Sequence, residues 1–205
     1  MLINARNYSF KLRDREIFTW PEQTAIRIFN QQPVMGLVHF NDTDAYHPQL
    51  IQYTLDLEKD SDFMQPTEGG AKQVNALQDW DIVEADLINA RALKLCADMM
   101  HSEKVQVSSA YALVFRQGDH LPPKSPERAE ASVIYILDSG DEDPENGSSG
   151  RLSFTHKSLG GYTAGEPKPA TAGVMLTFPA DMLSAALPYT GTRPRILLIW
   201  HIVNG

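Results

Sequence analysis

The chain has 205 residues, of which 42% are hydrophobic and 21% are charged, and its formal net charge is −8. This length fits one domain with a sizeable core, and the composition is far from that of disordered chains. An acidic chain without a basic patch is expected to bind neither nucleic acid nor an anionic membrane. The single cysteine, Cys96, excludes an intrachain disulfide and a zinc site of several cysteines. Without a leader-like N-terminus or a membrane-length apolar run, we predict a cytoplasmic protein.

The first half of the chain, residues 1–105, mixes two kinds of pattern. Two short β-like runs occupy 25–29 and 34–40, and apolar residues at helical spacing then predict helices over about 47–59 and 82–100. The candidate N-cap residues are Asp42 or Asp44 for the first helix and Asp79 or Asp81 for the second.

The second half, residues 106–205, changes to a strand pattern. Short runs rich in β-branched and aromatic residues alternate with Gly- and Pro-containing turns, and no helical pattern lies between them. This arrangement predicts an antiparallel sandwich or small barrel, and therefore an α+β chain folded as one domain, 1–205. The predicted strands are 107–115, 131–137, 151–155, 174–178 and 195–203.

An acidic loop at 138–147 is a candidate for calcium binding. A calcium loop of the EF-hand kind needs a carboxylate at its twelfth position, and counting from Asp141 that position is Leu152. We therefore interpret the segment as a solvated hairpin loop.

Four segments of the second half follow one another in a specific order: 114–119, 132–137, 149–154 and 173–191, the last being followed by Arg195. Their order and spacing resemble those of the 2-oxoglutarate/Fe(II)-dependent oxygenases. The resemblance implies a double-stranded β-helix, or jelly roll, with the N-terminal helices packed on it.

The resemblance also implies where functional residues would lie. In this family a His-x-Asp pair and a distal His hold Fe(II), and an Arg or Lys on the last strands pairs with 2-oxoglutarate. The matching positions here are Lys124 and Pro126 for the pair, Ser184 for the distal histidine and Arg195 for the basic residue, and only Arg195 agrees. From these departures we predict no metal ligand, no catalytic residue and no cofactor; the alternative is that Fe(II) and 2-oxoglutarate bind through other residues.

The histidines of the second half are the obvious substitutes for the missing ligands. His120 lies in a Pro-rich turn and is interpreted as an exposed turn residue, and His156 shares a strand face with apolar residues and is interpreted as a core or rim histidine. His201 lies on the same strand face as Arg195 and could line the far end of the same cavity. A site of all three histidines is an alternative, although no spacing supports it.

The residues that stand at the expected ligand positions suggest a function of their own. Lys124, Ser184 and Arg195 are predicted to form a cofactor- or ligand-binding pocket for a small carboxylate or phosphate. In the alternative, Lys124 projects into solvent and Arg195 pairs with a carboxylate such as Asp181. The function predicted first is a repurposed, non-catalytic binding or interaction module. An active dioxygenase with non-standard ligands and a structural jelly-roll subunit are the alternatives, and a homo-oligomer is left open.

Overall fold

A computed structural model of the chain describes residues 7–29, 33–126, 128–141, 146–156 and 171–205. The helices within these residues are α1 (His47–Leu57) and α2 (Val83–Met100). The strands are β1 (Ser9–Leu12), β2 (Arg15–Phe18), β3 (Arg27–Phe29), β4 (Met35–His39), β5 (Met64–Pro66), β6 (Lys72–Val74), β7 (Val105–Phe115), β8 (Leu121–Lys124), β9 (Ala131–Asp138), β10 (Leu152–His156), β11 (Val174–Pro179), β12 (Met182–Ala186) and β13 (Arg195–Asn204).

Two antiparallel sheets form the core of the molecule. The large sheet has the strand order β3-β4-β11-β9-β13-β7-β6-β5, and the small sheet has the order β10-β12-β8. One apolar cluster contains residues of both sheets, including Phe154 of β10 and Phe178 of β11, whose ring centroids are 4.9 Å apart. This confirms the predicted α+β class with a jelly-roll core. Strands of the first half, β4 and β6, extend the large sheet beside β11 and β7.

The central strand β13 is buried on both faces. Leu197 and Ile199 belong to the cluster between the sheets, whereas Leu198 and Trp200 belong to the cluster that the helices cover. The indole N–H of Trp200 donates to the side-chain oxygen of Asn89 on α2 at 2.8 Å. Because successive strand residues point to opposite faces, a strand covered on both sides reads as a continuous apolar run, as this segment does.

The two helices lie where they were predicted, but their predicted N-caps are wrong. The N-cap position of α1 is Tyr46 and that of α2 is Ile82, and neither makes a side-chain capping bond. Asp42 instead pairs with Arg91 of α2, and Asp44 pairs with Arg15. Packing of α2 on the large sheet therefore stabilises this helix more than capping does.

The small sheet contains two strands that the sequence pattern did not predict. β8 includes Pro122 and Pro123 within a segment interpreted as a turn, and β12 is only five residues long. Proline is tolerated in β8 because this strand lies at the edge of its sheet and its pairing with β12 is interrupted by a register shift between Leu121 and Lys124.

In the described part of the chain, no helix has both the length and the apolar character needed to cross a membrane. Cys96 is buried in α2, and burial raises the pKa of its thiol to about 12. This agrees with its interpretation as an inert core thiol.

A buried polar network joins the large sheet to the helices. The hydroxyl groups of Tyr46 and Tyr135 lie 2.7 Å apart, and Nε2 of His47 lies 2.5 Å from the hydroxyl of Tyr135. Arg91 donates to the Tyr46 hydroxyl at 2.9 Å. Burial, together with the neighbouring charge of Arg91, lowers the pKa of His47 to about 4, while Asp42 acts in the opposite direction. His47 is therefore neutral at physiological pH.

Acid is expected to destabilise the fold through His47. Its pKa is lower in the folded state than the ordinary value of 6.5, so the unfolded chain takes up the proton first as the pH falls. The stabilisation is present above pH ~6.5 and is lost as the pH falls towards ~4. Between pH ~7.5 and pH ~4.5, the wild type should lose about 2 kcal/mol more unfolding free energy than His47→Phe. Urea unfolding of both proteins at the two pH values measures this difference, and parallel pH profiles would contradict it.

Candidate functional site

A cavity of about 400 Å³ lies between the two sheets and is called the central cavity below. Side chains of the large sheet form one wall, and the opposite wall consists of the small sheet and the second residue after β8. The large sheet contributes Gln73, Ser109, Tyr111, Ser132, Ile134, Phe178, Ile199 and His201, and the opposite wall contributes Leu121, Lys124, Pro126 and Ser184.

Lys124 and Ser184 meet in the central cavity. They are cross-strand partners in the pairing of β8 with β12, and both side chains belong to the lining. Pro126 also reaches the cavity wall. The three positions that the resemblance matches to metal ligands therefore come together in one place. The register of the small sheet positions them, because residues directly opposite on paired strands project to the same face.

Arg195 lies inside the jelly roll but does not line the central cavity. It begins β13 opposite Phe115, and only 4% of its surface is exposed. The guanidinium packs beside the ring of Tyr189 at 5.6 Å and occupies space left by Gly150, where an added Cβ would collide with Nη1. Gly150 also has a φ of +56°, a conformation that glycine adopts readily.

The Arg195 side chain is incompletely satisfied. Its Nε has no hydrogen-bond partner, and no carboxylate in the described ranges forms an ion pair with it. The predicted alternative partner, Asp181, instead accepts from His156 at 2.8 Å. Burial lowers the pKa of Arg195 to about 10, since an isolated charge is poorly solvated there.

His201 is the histidine that reaches the central cavity, as the sequence alternation suggested. Its Nδ1 is 3.1 Å from Oγ of Ser132 and its Nε2 is 3.2 Å from the hydroxyl of Tyr111. Burial, together with a smaller effect of the Lys124 charge, lowers the pKa of His201 to about 4. Ser132 and Tyr111 were not singled out from the sequence, although each lies opposite a residue of the same face of β13: Ser132 pairs with His201 and Tyr111 with Ile199.

The other two histidines lie elsewhere. His120 forms an isolated bridge with Gly70, and its backbone N–H donates to the carbonyl of Gly69 at 2.9 Å. His156 bonds Asp181 and is not among the cavity residues. The alternative of a site built from His120, His156 and His201 is therefore wrong.

The acidic loop after β9 is organised by Asp141, while its residues 142–145 lie outside the described part of the chain. The Asp141 carboxylate accepts hydrogen bonds from the Tyr189 hydroxyl, the Thr192 hydroxyl and the Arg193 backbone N–H, each at 2.8 Å. These bonds hold the pKa of Asp141 well below its usual range. The carboxylate therefore stabilises a turn and is already occupied by protein donors.

The residues at the matched metal positions do not fit Fe(II). A lysine ammonium and a proline ring offer no lone pair to a metal, and a neutral serine hydroxyl is a poor ligand for it. Across the described ranges, no group of three or more His, Cys, Asp or Glu side chains is placed to hold a metal ion. Among the described residues that line the central cavity, His201 alone supplies an imidazole, and both of its nitrogens already bond hydroxyl groups.

Comparisons with known proteins identify the fold. No family model and no curated protein matches the chain. SnoN, a non-heme alpha ketoglutarate dependent epimerase from nogalamycin biosynthesis, is 14% identical, with a TM-score of 0.61 over 82% of this chain and 77% of its own. A prolyl-4-hydroxylase of Pseudomonas putida is 18% identical, with a TM-score of 0.55 over 83% of this chain and 93% of its own. AviO1 from Streptomyces viridochromogenes Tue57 is 16% identical, with a TM-score of 0.58 over 82% and 89% of the two chains.

These comparisons contradict the prediction that no cofactor is used. A further SnoN structure, with a TM-score of 0.59, is a complex with Fe3+, alpha ketoglutarate and nogalamycin RO. A structure that shares this fold therefore binds iron and alpha ketoglutarate, and Arg195 is the one matched position of this chain that agrees with the family pattern. The departures at Lys124, Pro126 and Ser184 concern only the metal positions, and they do not by themselves exclude every cofactor. By its architecture the chain has the double-stranded β-helix fold of the 2-oxoglutarate/Fe(II) oxygenases.

Proposed function

We propose that this protein binds a small carboxylate of the 2-oxoglutarate type inside its jelly roll. The observation that carries the proposal is the side-by-side placement of Lys124 and Ser184 in the central cavity, at the positions matched to metal ligands. An ammonium group there supplies the positive charge that attracts a carboxylate, and the hydroxyl adds a hydrogen-bond donor.

The electrostatics of the central cavity favour an anion. Lys124 is its one cationic lining residue, and none of the described lining residues is a carboxylate that could neutralise it. The charge of Lys124 acts across the cavity, since it contributes to the lowered pKa of His201. Lys124 is exposed to solvent, and a bound carboxylate would offset its positive potential in the cavity.

The remaining surfaces suit a carbon chain that ends in a second acid group. Ile134, Ile199 and Phe178 provide apolar walls. Arg195 lies deeper on the same face of β13 as Ile199, with an unpaired Nε and a planar fork that matches a carboxylate. We assign the second carboxylate to Arg195.

An active iron-dependent dioxygenase is the second candidate, and the comparisons are the observation that favours it. Several structures with this fold are named as alpha ketoglutarate dependent enzymes or prolyl hydroxylases. If iron and 2-oxoglutarate do bind, they would support oxidation of a substrate, and the chain's own contribution would be to hold the acid through Arg195. The acid-binding role of the cavity is common to both candidates.

Calorimetric titration with 2-oxoglutarate tests the proposal. We expect the wild type to bind this acid in metal-chelated buffer, and Lys124→Met to bind it about tenfold more weakly because one charge-assisted hydrogen bond is lost. Lys59→Met is the matched control, since Lys59 is an exposed lysine that pairs with Asp56 and does not line the central cavity. This control should retain wild-type affinity.

Two results would contradict the proposed binding site. The first is no detectable binding of 2-oxoglutarate with or without Fe(II). The second is equal affinity in the wild type and Lys124→Met. Tight stoichiometric iron together with formation of succinate would instead establish the dioxygenase candidate. Succinate can be quantified in the same samples.

The remaining functional expectations stay predictions. They are cytoplasmic location, a structural or assembly role for the jelly roll, and a homo-oligomeric state. Size-exclusion chromatography with light scattering measures the last of these directly.

A further inference from the structure

Ser132, His201 and Tyr111 form a continuous hydrogen-bonded chain in the wall of the central cavity, called the relay below. The Ser132 hydroxyl meets Nδ1 of His201 at 3.1 Å, and the Tyr111 hydroxyl meets Nε2 at 3.2 Å. The ring of His201 also packs edge-on against Tyr111, with 5.7 Å between centroids. The relay faces Lys124 across the cavity, because the large and small sheets form opposite walls.

The direction of the hydrogen bonds follows from the burial of Ser132. A neutral imidazole has one N–H and one lone pair, so one hydroxyl must donate to the ring and the other must accept from it. Ser132 is 1% exposed, and within the described ranges its hydroxyl has no other acceptor. If Ser132 accepted from Nδ1, its own O–H would be buried without a partner, which is costly. Ser132 therefore donates to Nδ1.

The same reasoning sets the role of Tyr111 at the other end of the relay. When Ser132 donates to Nδ1, the proton of His201 is on Nε2 and the Tyr111 oxygen accepts from it. The O–H of Tyr111 is then left without an acceptor among the described residues, and Tyr111 is only partly buried and lines the central cavity. The cavity thus has a positioned neutral donor on the wall opposite the ammonium of Lys124.

We infer that Tyr111 is a specificity-determining residue that donates a hydrogen bond to an acceptor oxygen beside the ligand's carboxylate, with His201 and Ser132 positioning it. This inference rests on the proposed acid-binding function and names the ligand class more closely. The central cavity would prefer an acid with an oxygen next to its carboxylate, such as a 2-oxo acid, over an acid of the same length with a methylene there.

The pair 2-oxoglutarate and glutarate tests this preference, because the two acids differ in that oxygen alone. The wild type should bind 2-oxoglutarate more tightly than glutarate in metal-chelated buffer. Tyr111→Phe should reduce the ratio of the two affinities about fivefold, the effect of one neutral hydrogen bond, with little change in glutarate binding. Ser132→Ala removes the hydrogen bond that fixes the tautomer of His201. This variant should reduce the ratio of the two affinities by a smaller factor than Tyr111→Phe.

A second readout tests the positioning role without any ligand. Nitrogen-15 NMR of the imidazole distinguishes the two neutral tautomers, and the wild type should show His201 protonated at Nε2. Ser132→Ala should shift the population towards the other tautomer.

Each outcome bears on a different part of the inference. An Nδ1–H tautomer in the wild type, or an unchanged affinity ratio in Tyr111→Phe, overturns the relay while leaving acid binding intact. Failure of the wild type to bind either acid overturns the proposed function and the ligand role of Tyr111 together. Unaltered melting temperatures in both variants would show that these losses do not come from unfolding.

Discussion

Replacing Arg91 with methionine is expected to lower the free energy of unfolding by about 3–5 kcal/mol. Arg91 is completely buried in α2, yet every part of its guanidinium is engaged. It pairs with Asp42 at 3.0 Å and 2.6 Å and donates to the backbone carbonyls of Thr19 and Phe18. Methionine has a similar length but no donors, so Asp42 is left without its counter-charge and the carbonyls lose their buried partner.

The loss of Arg91 should also destabilise parts of the fold that lie outside α2. The guanidinium lies 4.1 Å from the ring centroid of Phe40 and joins the end of β2 to α2. It also donates to Tyr46, the first member of the network that reaches Tyr135 on the large sheet. Hydrogen exchange should therefore show increased opening of the N-terminal hairpin β1–β2 in the variant, in addition to the global loss of stability.

Arg15→Met provides the matched comparison for Arg91. Arg15 pairs with Asp44 at 2.7 Å, but both side chains are more than half exposed. Exposed ion pairs contribute little, so this variant should lose less than about 1 kcal/mol. Denaturant unfolding at neutral pH measures both values. A loss at Arg91 no larger than that at Arg15 would mean that the buried charge is not a principal contact of the fold.

The parts of the fold that sequence reasoning predicted are those in which burial dictates a long pattern. α2 shows an apolar stripe over eighteen residues, and β9 and β13 contain the apolar runs 133–137 and 196–200 because the large sheet is covered on both faces. These patterns are formed by many residues and survive individual exceptions. The N-cap predictions failed because a single aspartate can serve other partners, as Asp42 does with Arg91.

The strands that were missed are short and lie in the small sheet. β8 carries two prolines and β12 has only five residues, so neither offers a periodic pattern of useful length. Their pairing is determined by contacts distant in sequence, and only the register Lys124↔Ser184 reveals why the two residues meet. The family resemblance predicted that Lys124 and Ser184 lie near one another, which the local sequence pattern could not do.

Some residues of the candidate site could be named from the sequence, and others could not. Lys124 and Ser184 could be named from sequence because they occupy positions at which a ligand was expected. Ser132 and Tyr111 could not, since nothing marks a serine or tyrosine inside an apolar strand as functional until its neighbour across the sheet is known. His201 becomes informative only with these two hydroxyl groups on either side of its ring.

Arg195→Met is expected to separate ligand binding from stability. In the ligand-free protein the guanidinium is 4% exposed, its Nε is unpartnered and no carboxylate among the described residues pairs with it. Replacing a buried, uncompensated charge by an apolar side chain of similar length is often neutral or stabilising, so the free energy of unfolding should stay constant or rise by about 1 kcal/mol. The affinity for a dicarboxylate ligand, in contrast, should fall.

The affinity for glutarate should fall about 100-fold in Arg195→Met, because a desolvated carboxylate would lose its charged, two-pronged partner. Valerate, which has the same carbon chain and only one carboxylate, should bind the wild type and the variant equally. Arg193→Met is the control, since Arg193 is a nearby exposed arginine that pairs with Asp138 at 3.2 Å.

Calorimetric titration with the two acids and denaturant unfolding of the free proteins supply all the measurements for Arg195. A substantial loss of stability in Arg195→Met with unchanged glutarate affinity would assign this residue to folding alone. Equal weakening of glutarate and valerate would indicate a distorted cavity in place of a lost carboxylate contact. Selective loss of glutarate binding by a protein of undiminished stability is the result that distinguishes a ligand-binding arginine from one that serves only the fold.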